Sequence, residues 1–460
     1  MKPHAVNTLR GLWQQAGLPE AALGYAELTG ADPVLPSSFA VGTAAQATIA
    51  AAALAACEVG HLRKVPRQRV SVDMIHAALE CQAWFSVDGQ VPPQWDKFSG
   101  LYRCADGVVR LHANFAHHRD GALRLLGLDP KLATRDAAEQ ALLDWRALDF
   151  EAATAVAGLV ATALRTFDQW DATEQGAAIA AQPLFTIERI ADADPLALEP
   201  LRGDARPLTG IRTLELTRIL AGPVGGKALA AYGSDVMLVN SPRLPNIAAI
   251  ADTSRGKRSA HVDLDTEAGR LAINGLIRDA HVLVQGYRPD SLARRGFGPL
   301  DVARLRPGIV YVSLSAYGNR GPWAARRGFD SLVQTAMGFN AAEATAAGQD
   351  APRPLPMQIL DEATGYLIAL CASAALCRQQ REGGSWHVQV SLAQTGHWLR
   401  NLGRVENGFA VQPVSREPYL ETLASGFGEL RSVRHSARLE HTPVTWTWPS
   451  MPPGSSPPQW

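Results

Sequence analysis

The chain has 460 residues, with 44 Lys and Arg balanced by 44 Asp and Glu, and it is 47% apolar and 19% charged. This length suffices for about two to four domains, and the composition excludes a disordered chain. A net charge of zero gives no support to a nucleic-acid partner or an anionic membrane. The five cysteines include no C-x-x-C pair. They argue against a disulfide framework or a cysteine-rich zinc site and favour a cytoplasmic location.

The beginning of the chain has no feature typical of a targeting signal. The first 17 residues mix charged and polar side chains and lack an apolar core. The most apolar runs, 47–57 and 366–377, are shorter than the roughly 20 residues of a membrane span. They predict buried helices and no membrane partner.

One short unit occurs twice along the chain. An alanine-rich helix, a β-branched alternation and a second helix are predicted over 47–79 and again over 364–399. At the offset that relates the two, Thr43 takes the position of Asp361. The pattern predicts a partial internal duplication, and coincidence between two alanine-rich helices is the alternative.

Residues 1–190 are predicted to form this first helix–strand unit and a smaller α+β domain. Within the smaller domain we predict strands at 101–103 and 108–111 and helices at 137–146 and 152–164. Residues 191–209, rich in Pro, Asp and Gly, are typical of a linker.

From residue 210 to about 400, strands alternate with helices. The predicted strands are 213–216, 235–239, 281–285 and 308–313, and the predicted helices are 224–232 and 266–278. This alternation predicts an α/β fold with a doubly wound, Rossmann-like parallel sheet. Residues 401–460 are predicted to be an extended, proline-rich tail that packs back on the fold, with most of its prolines in 446–460.

The first strand-to-helix turn of this region, residues 217–226, contains three glycines. Glycines let a ligand approach the backbone, and the following helix N-terminus favours anions. However, the turn lacks the G-x-G-x-x-G spacing, and the second strand ends at Asn240 where a dinucleotide site needs an acid. We therefore predict no NAD.

Two basic segments, Arg255-Gly256-Lys257-Arg258 and Arg288-Pro289, lie near expected strand ends or turns. On the carboxyl side of a parallel sheet, such cations can hold phosphates. A solvated basic face fits the same spacing, and the residues alone do not decide between the two.

Asp361 precedes the long apolar helix. As an N-cap it would be structural. The same free N–H groups would also orient an ionised carboxylate, which suits a nucleophile or a proton-transfer base. Both interpretations stay open at this point.

A histidine-rich segment is the candidate metal site. His112, His117 and His118 lie near Asp120, but no cysteine and no H-x-x-x-H helix accompanies them. We therefore predict no metal. The chain also lacks the G-x-S-x-G turn of serine hydrolases.

From residue 213 onward, several motifs follow in order. They are 213–223, 233–236, 255–259, 287–289, 295–299, 310–318, 328–330 and 361–365. Together they resemble the family III CoA-transferases, the CaiB/BaiF group that includes formyl-CoA transferases and α-methylacyl-CoA racemases. The resemblance implies that residues 210–400 form a CoA-binding catalytic domain.

By this resemblance, Asp361 takes the position of the catalytic aspartate. Its carboxylate would attack an acyl-CoA donor, and an aspartyl–CoA thioester would then pass CoA to a small carboxylic acid. The residues implied to bind coenzyme A are Arg218, Ala221, Gly222, Lys257, Arg258 and Arg288. The family also implies a homodimer.

Three features depart from the family pattern. Residues 45–190 resemble its later half, so the domain order looks permuted. Thr43 leaves the first copy of the repeated unit without a nucleophile. Racemase members carry a histidine where this chain has Phe329, which favours a transferase. A 2-methylacyl-CoA racemase or a non-catalytic CoA-binding protein is the alternative.

Overall fold

The computed structural model of the chain describes residues 4–202 and 204–460. Residues 1–3 of the predicted first unit and residue 203 of the predicted linker lie outside this range. The helices are α1 Ala5–Ala16, α2 Val41–Leu62, α3 Met74–Cys81, α4 Ala116–Leu125, α5 Arg135–Leu143, α6 Ala147–Val156, α7 Phe167–Asp171, α8 Glu174–Ala180, α9 Ala221–Ala231, α10 Ile250–Thr253, α11 Glu267–Asp279, α12 Pro299–Leu305, α13 Asp330–Met337, α14 Phe339–Ala346, α15 Ile359–Glu382 and α16 Leu392–Asn401.

The strands are β1 Ala26–Thr29, β2 Val70–Asp73, β3 Phe85–Val87, β4 Gly100–Arg103, β5 Val108–Leu111, β6 Ala161–Ala163, β7 Phe185–Ala191, β8 Arg212–Leu216, β9 Asp235–Asn240, β10 Lys257–His261, β11 Val282–Gln285, β12 Val310–Ser315, β13 Ser385–Ser391, β14 Leu420–Ser425, β15 Gly428–Val433 and β16 Arg438–Leu439.

The largest sheet has seven strands in the order β10-β9-β8-β11-β12-β13-β7. The first six are parallel, and β7 is antiparallel at the edge. Chain order reverses between β8 and β11, which is the switch point where doubly wound sheets bind ligands. The fold is therefore the predicted α/β class with a Rossmann-like sheet.

Alternate residues of the strands enter different cores. In β11, Val282 and Val284 pack with α2, α9 and α15, whereas Leu283 packs with α11 and α12 on the opposite face. Each face is thus covered by helices, as the near-continuous apolar strands require. Helix α11 begins where predicted, because the Thr266 side chain accepts a hydrogen bond from the Gly269 backbone N–H.

Two strands of this sheet were not predicted. Strand β10 starts with Lys257-Arg258 and has little apolar pattern, and its pairing with β9 creates it. Strand β7 pairs with β13, so the predicted domain boundary at residue 190 falls inside a strand of the main sheet. The sequence signal was weak because both are edge strands.

The predicted helix at 152–164 is also wrong in its second half. Helix α6 ends at Val156, and Gly158 adopts a left-handed φ of 68°. Residues 161–163 then form β6, which pairs with β5. Glycine is favoured where a chain leaves a helix in this conformation, so Gly158 was the signal to stop the helix.

Helices α2 and α15 form the centre of the molecule. With 22 and 24 residues they are longer than the apolar runs predicted for them, and by length and composition alone each could cross a membrane. The apolar stretch of each is entirely buried inside the protein. Both are therefore core helices.

Three smaller sheets surround this core. Strands β4, β5 and β6 form one, β14, β15 and β3 another, and β1, β2 and β16 a third. The C-terminal region is therefore not extended throughout, because residues 420–433 form a hairpin. Its last described residues do pack back on the fold: the Ser456 N–H donates to the Ser259 carbonyl of β10, and Trp460 Nε1 donates to the Leu276 carbonyl of α11.

Candidate active site

Asp361 lies in the first turn of α15 and is 8% exposed. Its backbone N–H donates to Asp330 Oδ2 at 2.9 Å. The helix is therefore capped by Asp330, which lies at the start of α13, and not by Asp361 itself. The Asp361 carboxyl remains available for chemistry.

The Asp330 and Asp361 carboxyls influence each other. Burial raises the pKa of Asp330 to about 7. Burial also raises the pKa of Asp361 well above its ordinary value, and the nearby Asp330 and Glu362 carboxyls raise it further. When two buried carboxyls lie near each other, the negative charge of one makes the other harder to ionise. Asp361 is therefore an acid of unusually high pKa whose carboxylate forms as pH rises.

Asp361 opens into a pocket of about 310 Å³. Its walls are mainly aromatic and aliphatic side chains from both halves of the chain, including Trp84, Phe85 and Trp95 from the N-terminal half. Strand β5 contributes Arg110, and His112 follows immediately after that strand. The pocket thus places a buried carboxyl beside a largely apolar wall that also carries a cation.

A second, larger cleft of about 570 Å³ lies at the carboxyl ends of the central strands, beside the switch point. Phe115, Ile219 and Phe329 line both the cleft and the Asp361 pocket. Ile219 has a φ of 79°, which is strained for a β-branched residue. Such strain is common at functional turns, and here it occurs where the two cavities meet.

The cleft is rich in arginine. Its arginines are Arg218, Arg243, Arg288, Arg295, Arg326 and Arg327. Two of them, Arg243 and Arg295, pair with Asp265. The exposed Arg288 guanidinium makes no hydrogen bond or ion pair within the part of the chain that the structure describes. This surface can hold a polyanion by charge and by forked hydrogen bonds.

Two of the predicted phosphate ligands do not face the cleft. Lys257 is 1% exposed, and its Nζ donates to Glu215 Oε2 and to the Pro223 carbonyl, both at 2.7 Å. The Arg258 guanidinium pairs with Asp235 and donates to the Gln459 carbonyl. Because β10 begins at Lys257, both side chains belong to the sheet. Through its hydrogen bond to the Pro223 carbonyl, Lys257 stabilises the first loop from the side away from the cleft.

Of the three first-loop residues predicted to bind coenzyme A, only Arg218 lines the cleft. The Arg218 guanidinium lies over the Phe115 ring. Ala221 and Gly222 do not line either cavity, and a Cβ on Gly222 would come within 2.4 Å of the Thr217 Cβ. Ile219 and Leu220 occupy the loop position that faces Asp361. The Gly222 position is thus one of close packing.

The site also contains residues that sequence reasoning missed. Arg327 lies in the cleft, where Nη1 contacts His118 Nε2 at 2.9 Å. His112 stacks on Phe329 with ring centroids 4.0 Å apart, and burial lowers its pKa to about 3. The histidine-rich segment was noticed in the sequence, but as a metal candidate. The segment lines the site because β5, which precedes it, packs near α13.

Comparison with known proteins identifies the family. The sequence profile of CoA-transferase family III matches residues 208–416. An acyl-CoA transferase of Gibberella moniliformis is 31% identical over 417 residues, covering 81% of this chain and 73% of that protein. A succinate–glutarate CoA-transferase of Agrobacterium fabrum is 33% identical over 205 residues, covering 40% of this chain and 51% of that protein.

Among solved structures, a Mycobacterium tuberculosis protein described as a probable fatty acyl-CoA transferase superposes with a TM-score of 0.40 at 32% identity. The match covers 43% of this chain and 57% of that one. The chain spans about half the length of the Agrobacterium and Mycobacterium relatives. The Gibberella match extends well beyond residues 208–416. The chain therefore belongs to CoA-transferase family III, whose enzymes act on CoA thioesters.

Proposed function

We propose that the chain moves CoA from an acyl-CoA donor to a small carboxylic acid through an aspartyl–CoA thioester on Asp361. The observation that carries this proposal is the junction at Ile219 and Phe329, where an arginine-lined cleft meets the pocket of a buried aspartate. A CoA molecule with its phosphates among the arginines would reach through this junction to Asp361.

The chemistry balances in four steps. The Asp361 carboxylate attacks the donor thioester carbonyl, which forms an aspartyl–acyl anhydride and releases CoA thiolate. The thiolate attacks the aspartyl carbonyl and releases the donor carboxylate, leaving an aspartyl–CoA thioester. The acceptor carboxylate attacks that thioester and forms a second anhydride with loss of CoA thiolate. The thiolate then attacks the acceptor acyl carbon, and Asp361 leaves as a carboxylate.

The phosphate ligands proposed here are Arg218, Arg288 and Arg327. Each lines the cleft, and burial lowers the pKa values of Arg218 and Arg327, so a bound phosphate would stabilise their charged forms. Lys257 and Arg258 are left out because their side chains are engaged in the sheet.

The decisive experiment replaces the proposed nucleophile. We expect Asp361→Asn to abolish CoA exchange, with a loss of at least about 10³-fold, while acyl-CoA still binds. Mass spectrometry after hydroxylamine treatment should find a modified Asp361 only in wild-type enzyme incubated with acyl-CoA. Asp350→Asn, at an exposed position, is the matched control. An Asp361→Asn enzyme with normal exchange rates would overturn the proposal.

A racemase is the second candidate because of His112. Although Phe329 replaces the family histidine, His112 stacks on that ring and lines the same pocket as Asp361. Two groups flanking an α-carbon are what proton exchange requires. Incorporation of deuterium at C-2 of 2-methylacyl-CoA in D₂O, without an acceptor acid, would favour the racemase. Its absence beside measurable CoA exchange would favour the transferase.

A further inference from the structure

Arg110 is a buried cation that makes no hydrogen bond or ion pair within the described part of the chain, although the nearby Asp330 carboxyl opposes the lowering of its pKa by burial. Its side chain emerges from β5 and is 7% exposed, with the guanidinium 4.9 Å from the centre of the Trp95 ring. Nε is buried with no hydrogen bond, and the guanidinium makes no ion pair among residues 4–202 and 204–460. Burying a charge without hydrogen bonds is unfavourable, and a bound anion would offset that cost.

Arg110 faces the pocket that contains Asp361. Although burial lowers its pKa to about 10, it remains protonated near neutral pH. Two more buried polar atoms without partners, His112 Nδ1 and Ser331 Oγ, belong to residues lining the same pocket. Unsatisfied buried groups that converge on one cavity indicate a polar ligand. The cationic Arg110 indicates that this ligand is an anion.

The rest of the wall indicates what accompanies the charge. Trp84, Phe85 and Trp95 face the cavity together with Pro92 and Pro93. Such a surface stabilises an apolar body, and a pocket of about 310 Å³ is at the small end for organic ligands. A small acid with a hydrocarbon body meets both conditions.

Resting on the proposed function of Asp361, we propose that Arg110 binds the carboxylate of an acid whose hydrocarbon body packs against the aromatic wall of this pocket. A planar guanidinium matches a carboxylate with two parallel hydrogen bonds. The bound group is either the carboxylate that reacts, as in every acceptor, or the distal carboxylate of a diacid. Arg110 thus determines substrate specificity and position without taking part in bond exchange.

Calorimetry with the intact protein and no CoA tests this directly, using hexanoate, hexanedioate and neutral hexanamide as probes. We expect wild-type protein to bind the acids at least about tenfold more tightly than the amide, and Arg110→Gln to remove that preference. Equal weakening of both acids assigns Arg110 to the reacting carboxylate. Loss confined to hexanedioate assigns it to the distal one.

Arg103→Gln, at an exposed position of the neighbouring strand β4, is the matched control and should bind like wild type. Arg110→Lys keeps the charge but loses the fork, so we expect intermediate binding. It also keeps the test open if Arg110→Gln does not fold. Unchanged acid binding in a folded Arg110 variant, or equal binding of hexanamide and hexanoate by wild type, would overturn the proposal. Since no CoA is present, this result is independent of the outcome for Asp361→Asn.

Discussion

At the scale of residues, side chains of like charge have different roles in this protein, some in the fold and some at the site. Lys257 neutralises Glu215 inside the sheet, whereas Arg288 lies exposed at the rim of the cleft. Asp330 and Asp361 line the same pocket, but Asp330 also caps the helix on which Asp361 lies. In each case burial and neighbours, not residue type, decide between structure and chemistry.

The Asp330–Asp361 pair predicts the pH dependence of exchange. Because burial and Asp330 raise the pKa of Asp361, the rate should increase with pH through a pKa well above 4. Asp330→Asn removes a neighbouring negative charge, so ionisation of Asp361 becomes easier and the acidic limb should move to lower pH. Rates measured from pH 4 to 9 check this, and an unmoved or raised limb would contradict it.

The same pair predicts how stability depends on pH. The folded pKa of Asp330, about 7, is above its unfolded value, so the folded protein binds more protons between these values. Stability should therefore fall as pH rises from about 4 to 7. Asp330→Asn removes this part of the slope while its amide oxygen can still accept the Asp361 N–H. Urea unfolding of both proteins at pH 5 and 8 measures the difference, and identical slopes would refute it.

At the scale of elements, glycines set how closely helices α9 and α15 approach. A Cβ on Gly365 would lie 2.6 Å from Val224 Cβ and 2.8 Å from the Ala221 carbonyl oxygen. Gly225 faces Ile368 in the same way. This contact holds the first loop beside the turn that carries Asp361.

Gly365→Ala should therefore destabilise the fold and weaken exchange. Overpacking of this kind costs about 1–3 kcal/mol of unfolding free energy, measurable by urea titration. Gly275→Ala in α11 is the matched control, because a Cβ there meets no atom within 4 Å. It should be neutral or stabilise by about 0.5–1 kcal/mol. Equal stability of the two variants would show that the helix contact is not limiting.

The two central helices also begin alike. Asp32 accepts hydrogen bonds from the Thr43 backbone N–H and hydroxyl at the start of α2, as Asp330 accepts from the Asp361 N–H at the start of α15. Met74 and Val34 crowd the first site. The similar caps fit the predicted duplication, which stays a prediction; at the matching position this chain has Thr43 in place of an aspartate.

At the scale of the whole molecule, buried polar groups join distant parts of the chain. Glu80, at the end of α3, accepts hydrogen bonds from the Tyr366 hydroxyl, the His435 ring and the Ser436 backbone N–H. Burial alone would raise the pKa of Glu80, but His435 and these donors lower it well below its ordinary value. The N-terminal unit, α15 and the C-terminal region therefore share one ionised carboxylate.

Glu80→Gln should cost about 3–5 kcal/mol of unfolding free energy, since it leaves buried donors facing an amide. The loss should shrink as pH falls, because the stability supplied by a lowered carboxyl pKa disappears in acid. Glu417→Gln, which breaks an exposed pair with Arg431, should cost less than about 1 kcal/mol. Urea unfolding at pH 4 and 7 separates these cases. A Glu80→Gln protein as stable as the control would contradict the proposed coupling.

Residues within continuous motifs were predictable. Apolar alternation located strands β8, β9, β11 and β12, and the motif around Asp361 indicated the family, because both signals are local in the chain. The permuted domain order, the homodimer and the cytoplasmic location stay predictions.

Tertiary structure decided which predicted cations reach the cleft. Pairing of β10 with β9 buries Lys257, and packing of β5 near α13 places Arg110 and His112 in the Asp361 pocket. Residues 110 and 361 are far apart in sequence, and their meeting depends on which faces of the strands and helices pack together. Local pattern thus determined most of the elements and pointed to Asp361 as the proposed nucleophile. Long-range packing determined the rest of the site, because burial and the pairing of charges exist only once the elements meet.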